Sequence, residues 1–549
     1  MSPAAKRTAA IGIVVVVVVA ITVLSGGGRP ADETLAQSFV SAWAHGDWAQ
    51  MYDDVDPATR ARLPVTLFAA TYRNALDTAT ATRELAGHAT EAAGGVVTVP
   101  VVVRTHLFGS LRSRFVLPIT GSPARIKWSE SLSFPGLRLG EVLSRQTTLP
   151  ARAKLLARDG TPLADLPAAA GIIGSLGPIP SELAEQLQQA GYPPQAQVGI
   201  DGLERIFEQR LAGKPGGDLY AGGRLIASAP MQAAAPVYTS ISPSLQALSV
   251  ATLGGQEGGI VVMRPVSGEI LAVAGTPFSE LQPPGSTFKM VTLAGVLLAH
   301  LARPTTVFQY ATSAVIDGFD LHNANNESCG GTLEQAFAVS CNSVFAPLGA
   351  RLGARRLLDA AQRLGFNEQP SIPGVAESTV PPDSLQSQLD VASSAIGQGQ
   401  VQATALQMAL VAATIGDVGR RPTPTLALGE AAPLRRELPS LVAATERRLM
   451  VDVVLNGTGT AAQIPGVVVA GKTGTAELTT TVCQPTDPTC KPNDPRNTDA
   501  WFAAFAPARA PRGVVGVMLA HDGAGGTTAA PVAQVMLQAA LAATAHWRR

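Results

Sequence analysis

The chain has 549 residues, 46% of them hydrophobic and only 15% charged, enough apolar material for several cores of about 150 residues each. Its 41 Lys+Arg cancel its 41 Asp+Glu. That balance excludes a nucleic-acid binder working through a global positive field, and equally an acidic disordered scaffold. Lysine is scarce, occurring only at Lys6, Lys127, Lys154, Lys214, Lys289, Lys472 and Lys491.

Lys6 and Arg7 precede an apolar run from Ala9 to Leu24 that includes six consecutive valines. This run approaches the length of a bilayer-spanning helix, and positive charge before it predicts a cytoplasmic N-terminus with an exported remainder. The alternative is a cleaved signal peptide, for which Val23-Leu24-Ser25 is only a weak site. Residues 31–145 begin with the helical spacing Leu35, Phe39, Trp43 and continue with strand-like runs at Val96–Val103 and Arg114–Ile119. They predict a compact α+β domain. Residues 146–235 hold the turn Arg158-Asp159-Gly160-Thr161-Pro162, a helix near Ser181–Ala190 and a glycine-punctuated stretch. From Val237 a third region opens with strands at Ile260–Met263 and Ile270–Ala274, and helices alternate after them.

All four cysteines lie on the exported side. Cys483 and Cys490 bracket a Pro/Thr/Asp-rich stretch and predict a local disulfide in an oxidising compartment. Cys329 and Cys341 are a second candidate pair. No His or Cys spacing suggests a metal, and nothing calls for a cofactor.

The chemistry concentrates in three short motifs. Pro283-Pro284-Gly285 ends a loop, and Ser286 opens an apolar helix in which Lys289 is the only charged side chain before Arg303, His300 apart. A helix apolar all round is expected to be buried, and burial favours the neutral amine. Lys289 lies one turn from Ser286 on the same face. A neutral amine beside a serine hydroxyl makes a nucleophile without histidine. Ser340-Cys341-Asn342 is expected on a helix begun by Thr332, whose capping box is completed by Gln335. It would supply a hydroxyl for proton relay and an amide. Lys472-Thr473-Gly474-Thr475 follows the strand-like run Val467–Ala470 and offers a cation, two hydroxyls and a glycine that would let substrate lie along the strand. Gly466 to Thr473 also fits the phosphate-loop pattern. That loop must run directly into a helix, whereas the residues flanking this one are β-branched. No G-x-S-x-G elbow is present.

In this order the motifs resemble the class B penicillin-binding proteins, monofunctional peptidoglycan D,D-transpeptidases whose signature is S-x-x-K, S-x-N and K-T-G. Further similarity lies in Arg158–Ala164, Gly199–Glu208, Ile396–Thr404, Gln407–Ala409, Gly457–Thr460 and Trp501–Pro507. The resemblance implies a multidomain α+β chain: an anchor in residues 1–28; a small cone-like, nuclear-transport-factor-like extra domain of the methicillin-resistance type in 29–145; a pedestal, or dimerisation, domain in 146–235. The remainder, 236–549, would be a penicilloyl-serine transferase fold, an antiparallel sheet flanked by helices. It implies that Ser286 attacks a D-Ala-D-Ala stem peptide and releases D-alanine, with Lys289 as base, Ser340 and Lys472 passing a proton to the leaving amine, and Asn342 orienting Lys289 and the substrate. Thr473 and Thr475 would bind the terminal carboxylate, beside Gly474. β-Lactams would stall at the acyl-enzyme. A membrane-embedded glycan polymerase would be the partner. With Cys341 turned away from Ser286, pairing with Cys329 would tie the second motif to redox state. The same trio also serves β-lactamases and D,D-carboxypeptidases, and a catalytically inactive morphogenetic scaffold is the non-enzymatic alternative.

Overall fold

The computed structural model describes residues 31–92, 94–478 and 495–545. The apolar run Ala9–Leu24 and the pair Cys483/Cys490 lie outside them. Among the described residues, no helix is long and apolar enough to cross a membrane.

The described residues form two compact units, one of residues 31–148, 185–193 and 215–230, the other of residues 149–184, 194–214 and 231–545. The first opens with the helix Ala31–His45, followed by Val65–Thr78 and an antiparallel sheet built mainly from Ala81–Ala86, Val96–Thr105 and Gly109–Thr120. Leu35, Phe39 and Trp43 recur at helical spacing, and Phe39 and Trp43 are buried with Phe68, Tyr72 and Phe115. Trp43 meets Phe115 edge-on at 5.0 Å, and Trp128 Nε1 donates to the Tyr72 hydroxyl at 3.1 Å. Burial of this aromatic cluster is what a half-polar sheet needs on one face.

The second unit carries the motifs. Its centre is a five-stranded antiparallel sheet of β1 (Gly258–Met263), β2 (Ile270–Gly275), β3 (Ala470–Glu477), β4 (Thr498–Ala506) and β5 (Gly513–Leu519), in the order β2-β1-β5-β4-β3. Apart from β3, which carries Lys472-Thr473-Gly474-Thr475, the strands read as largely apolar runs because helices cover both faces. Along β4, Phe502, Ala504 and Ala506 pack on one side with the helices Pro243–Leu253 and Ala529–Thr544. Trp501, Ala503 and Phe505 pack on the other, into the larger core. That core contains α1 (Lys289–Leu298), α2 (Leu333–Ala338), α3 (Asn342–Leu352), α4 (Ala405–Gly416) and α5 (Ser440–Leu455). β3 is at one edge of the sheet, so among the described residues one of its sides is free of ladder partners. Glu446 of α5 is buried with neither carboxyl oxygen hydrogen-bonded among the described residues, and burial pushes its carboxyl well above the usual carboxylate range.

Candidate active site

Ser286 sits in a single 3-10 turn, Gly285–Phe288, that runs straight into α1. Pro284 opens this turn, and the Thr287 hydroxyl donates to its carbonyl at 2.6 Å. Gly285 has φ 49°, and a Cβ there would stand 2.5 Å from the Thr475 carbonyl oxygen. Only glycine lets the turn close onto β3 this tightly. Lys289 and nearly all of α1 are buried, as its uniformly apolar sequence requires.

Around Lys289 the three motifs meet. Its Nζ lies 3.0 Å from Ser286 Oγ, 2.6 Å from the Ser340 carbonyl oxygen, 2.6 Å from Asn342 Oδ1 and 3.3 Å from Ser340 Oγ. Burial, with the charge of Lys472 adding to it, holds the amine well below its ordinary value of 10.5. A neutral amine has two hydrogens and one lone pair. The Ser340 carbonyl and Asn342 Oδ1 can only accept, so they take both hydrogens. The lone pair is left to face the two hydroxyls, of which that of half-buried Ser286 is the nearer and that of Ser340 the farther.

Lys472 is also fully buried. Its Nζ donates to Ser340 Oγ at 2.9 Å and to the Thr473 carbonyl at 3.1 Å, above the Phe337 ring at 5.5 Å. Burial lowers it to about 7. The Ser340 hydroxyl therefore bridges the two lysines, the position a proton relay needs.

The second motif departs from the helical expectation. α2 begins at the Thr332 capping box with Gln335, as the sequence predicts, but ends at Ala338. Ser340 then takes the left-handed conformation, φ 62°. Its N–H donates to Phe337 O at 3.1 Å, and that of Cys341 to Ala336 O at 2.8 Å. This is the double-bonded helix ending usually made by glycine. A serine there is strained, and the reversal turns both its carbonyl and its hydroxyl toward Lys289. Cys341 is the N-cap of α3 rather than a helical residue, and it is disulfide-bonded to Cys329 with Cα atoms 5.8 Å apart.

The third motif is likewise shifted. Val467–Val469 precede the strand, and Lys472 to Thr475 lie inside β3, paired with Phe502, Trp501 and their neighbours on β4. A strand continuing to Glu477 is incompatible with a phosphate loop, which must enter a helix at that point. Gly474 does not open a space for substrate. It is buried, and a Cβ there would stand 2.7 Å from the Pro284 carbonyl oxygen and 2.8 Å from Trp501 Cβ. The glycine instead lets the nucleophile's turn lie on the strand. Thr473 Oγ1 is 2.6 Å from Thr458 Oγ1, and Thr475 Oγ1 accepts from the Gly525 N–H at 3.3 Å. Thr458 belongs to the segment Gly457–Thr460, where similarity in sequence was visible without its contact.

Comparison with known proteins agrees with this geometry. The penicillin binding protein transpeptidase domain matches residues 258–538, just over half the chain, and the penicillin-binding protein dimerisation domain matches 164–224. The chain is 33% identical over 406 residues to peptidoglycan D,D-transpeptidase PbpA of Mycolicibacterium smegmatis, covering 62% of this chain and 76% of the relative. It is 31% identical over 370 residues to PbpA of Mycobacterium tuberculosis, covering 56% and 72%. The structure of M. tuberculosis penicillin-binding protein A as a ceftriaxone acyl-enzyme superposes with a TM-score of 0.54 at 25% identity, covering 71% of this chain and 98% of that one. The chain belongs to the penicillin-binding protein transpeptidases, in their class B.

Proposed function

We propose that this protein is a serine-type peptidoglycan D,D-transpeptidase that cross-links stem peptides through an acyl-enzyme on Ser286. The observation that carries the mechanism is the setting of Lys289: its two shortest contacts, both 2.6 Å, are to groups that can only accept, which leaves its lone pair to face hydroxyls, Ser286 Oγ at 3.0 Å ahead of Ser340 Oγ at 3.3 Å. Lys289 takes the hydroxyl proton as Ser286 attacks the carbonyl of the penultimate D-alanine. The C–N bond breaks, and the leaving amine takes a proton through Ser340, fed from Lys472, as D-alanine departs. An amine from a second stem then attacks the ester and restores Ser286. Backbone N–H groups of Ser286 and Thr475 receive the oxyanion, each such donor being worth about 3 kcal/mol elsewhere. Lys472, Thr473 and Thr475 hold the terminal carboxylate, and Asn342 orients the substrate amide. β-Lactams enter by the same first step and remain.

The apolar run Ala9–Leu24 supports anchoring by a single span with the catalytic unit outside the cytoplasm. Residues 29–145 act as a spacer of the nuclear-transport-factor type, and 146–235 as the pedestal through which a polytopic glycan polymerase docks.

Intact-mass analysis after incubation with benzylpenicillin tests the reaction. A stable adduct on the parent and none on Ser286→Ala is the expected result. Hydrolysed drug without an adduct would instead make the protein a hydrolase.

A further inference from the structure

Asn342 divides its amide between two groups. Oδ1 accepts from Lys289 Nζ at 2.6 Å, and Nδ2 donates to the backbone carbonyl of His322 at 2.9 Å. A carbonyl can only accept, so it selects the end of the amide that faces it. With the amide reversed, an N–H would confront Lys289 and an oxygen would confront the carbonyl. The His322 carbonyl thus sets the orientation that gives Lys289 its acceptor and leaves its lone pair to face the hydroxyls, Ser286 Oγ ahead of Ser340 Oγ.

The hairpin that carries this carbonyl turns Ile316 and Leu321 to the larger core and leaves its other face open. It is the hairpin of Ser313–Ile316 and Phe319–His322, whose Val315 and Phe319 are 69% and 64% exposed. The next residue, Asn323, is only 6% exposed. Its Oδ1 accepts from the Ser343 N–H at 2.8 Å. Its Nδ2 lies 2.8 Å from Ala311 O, 2.9 Å from Glu327 O and 3.2 Å from Ser343 Oγ. Its own N–H donates to Thr312 O at 2.8 Å. One side chain therefore fastens the hairpin, the preceding strand and the following loop to the first turn of α3, directly beside Asn342. Both of its polar atoms are spent inside this joint, so it has no evident part in binding substrate.

We infer that Asn323 is a positioning residue for acylation, acting through the His322 carbonyl to hold the Asn342 amide toward Lys289. The inference rests on Lys289 as the base. A misplacement of about 1 Å caused by a change away from the reacting atoms can cost about 10²-fold.

The test is a double-mutant cycle in the full-length protein. Asn323→Ala is expected to slow benzylpenicillin acylation by up to about 10²-fold without changing its non-covalent dissociation constant. Asn323→Ala combined with Asn342→Ala is expected to be no slower than Asn342→Ala alone. Additive slowing, or acylation at the parental rate, overturns the inference. Ser343→Ala, a milder cut in the same joint, replaces Asn323→Ala in the cycle if that variant does not fold, and is judged by the same criterion. A crystal structure of the variant separates this inference from the reaction itself. Asn342 Oδ1 should leave hydrogen-bonding range of Lys289, and a retained contact overturns the inference whether or not the parent reacts with the drug.

Discussion

The two walls of the active site are held in different ways. On the β3 wall, Lys472, Thr473 and Thr475 are spaced by a strand paired residue for residue with β4, from Ala470↔Phe505 to Glu477↔Thr498. Periodic backbone hydrogen bonds fix those positions whatever the side chains are. On the wall between α2 and α3, Ser340 and Asn342 lie in a reversal with a strained serine. That reversal is tied down by the Cys329–Cys341 disulfide and the Asn323 joint. The strand wall is robust because its constraint is distributed. The reversal wall depends on a few side chains, so single changes should reach it.

The largest effect is expected where both walls converge. Lys289→Met should slow acylation by about 10²–10⁴-fold, the usual contribution of a positioned base. In the parent the acylation rate constant should fall as pH is lowered and Lys289 takes up a proton. Non-covalent affinity for the drug's carboxylate should weaken as pH rises through about 7, where Lys472 loses its charge. Stability follows the same lysine with a definite sign. Its folded value lies below its ordinary 10.5, so the unfolded chain binds more protons between the two. Its contribution is fully present above 10.5 and is lost as pH falls through about 7. Thermal melts of the parent and Lys472→Met across that range check this, since the variant should lack that part of the rise.

A smaller effect is expected from the reversal wall alone. Replacing both Cys329 and Cys341 with serine should lower stability by about 2–4 kcal/mol. It should also slow acylation more than any loss of drug affinity accounts for. Equal acylation rates at a lower melting temperature would mean that the disulfide only stabilises. The smallest effect is expected on the strand wall. Thr458→Val removes the hydroxyl 2.6 Å from Thr473 Oγ1 and should cost about 1 kcal/mol in drug affinity, the acylation rate constant staying unchanged. A larger loss than at the disulfide would reverse the ranking of the two walls.

Local chemistry was legible in the sequence. Ser286 and Lys289 are one helical turn apart, and the apolar character of α1 announces the burial that depresses the lysine. The Thr332–Gln335 capping box, the aromatic spacing of the first unit and the strands β1 and β2 were likewise visible, because each depends on residues within a turn or a strand of one another. The order of the three motifs identified the family without any geometry. What only the tertiary structure decided are the contacts between distant segments. The left-handed Ser340, the placement of Lys472 inside β3, the closure of Gly474 against Pro284, and the pairing of Thr458 with Thr473 are of this kind. Asn323 is the clearest case. Its partners are mostly backbone groups of Ala311, Glu327 and Ser343, and a backbone carbonyl is the same in every residue. No pattern of side chains along the chain can show where one will be met.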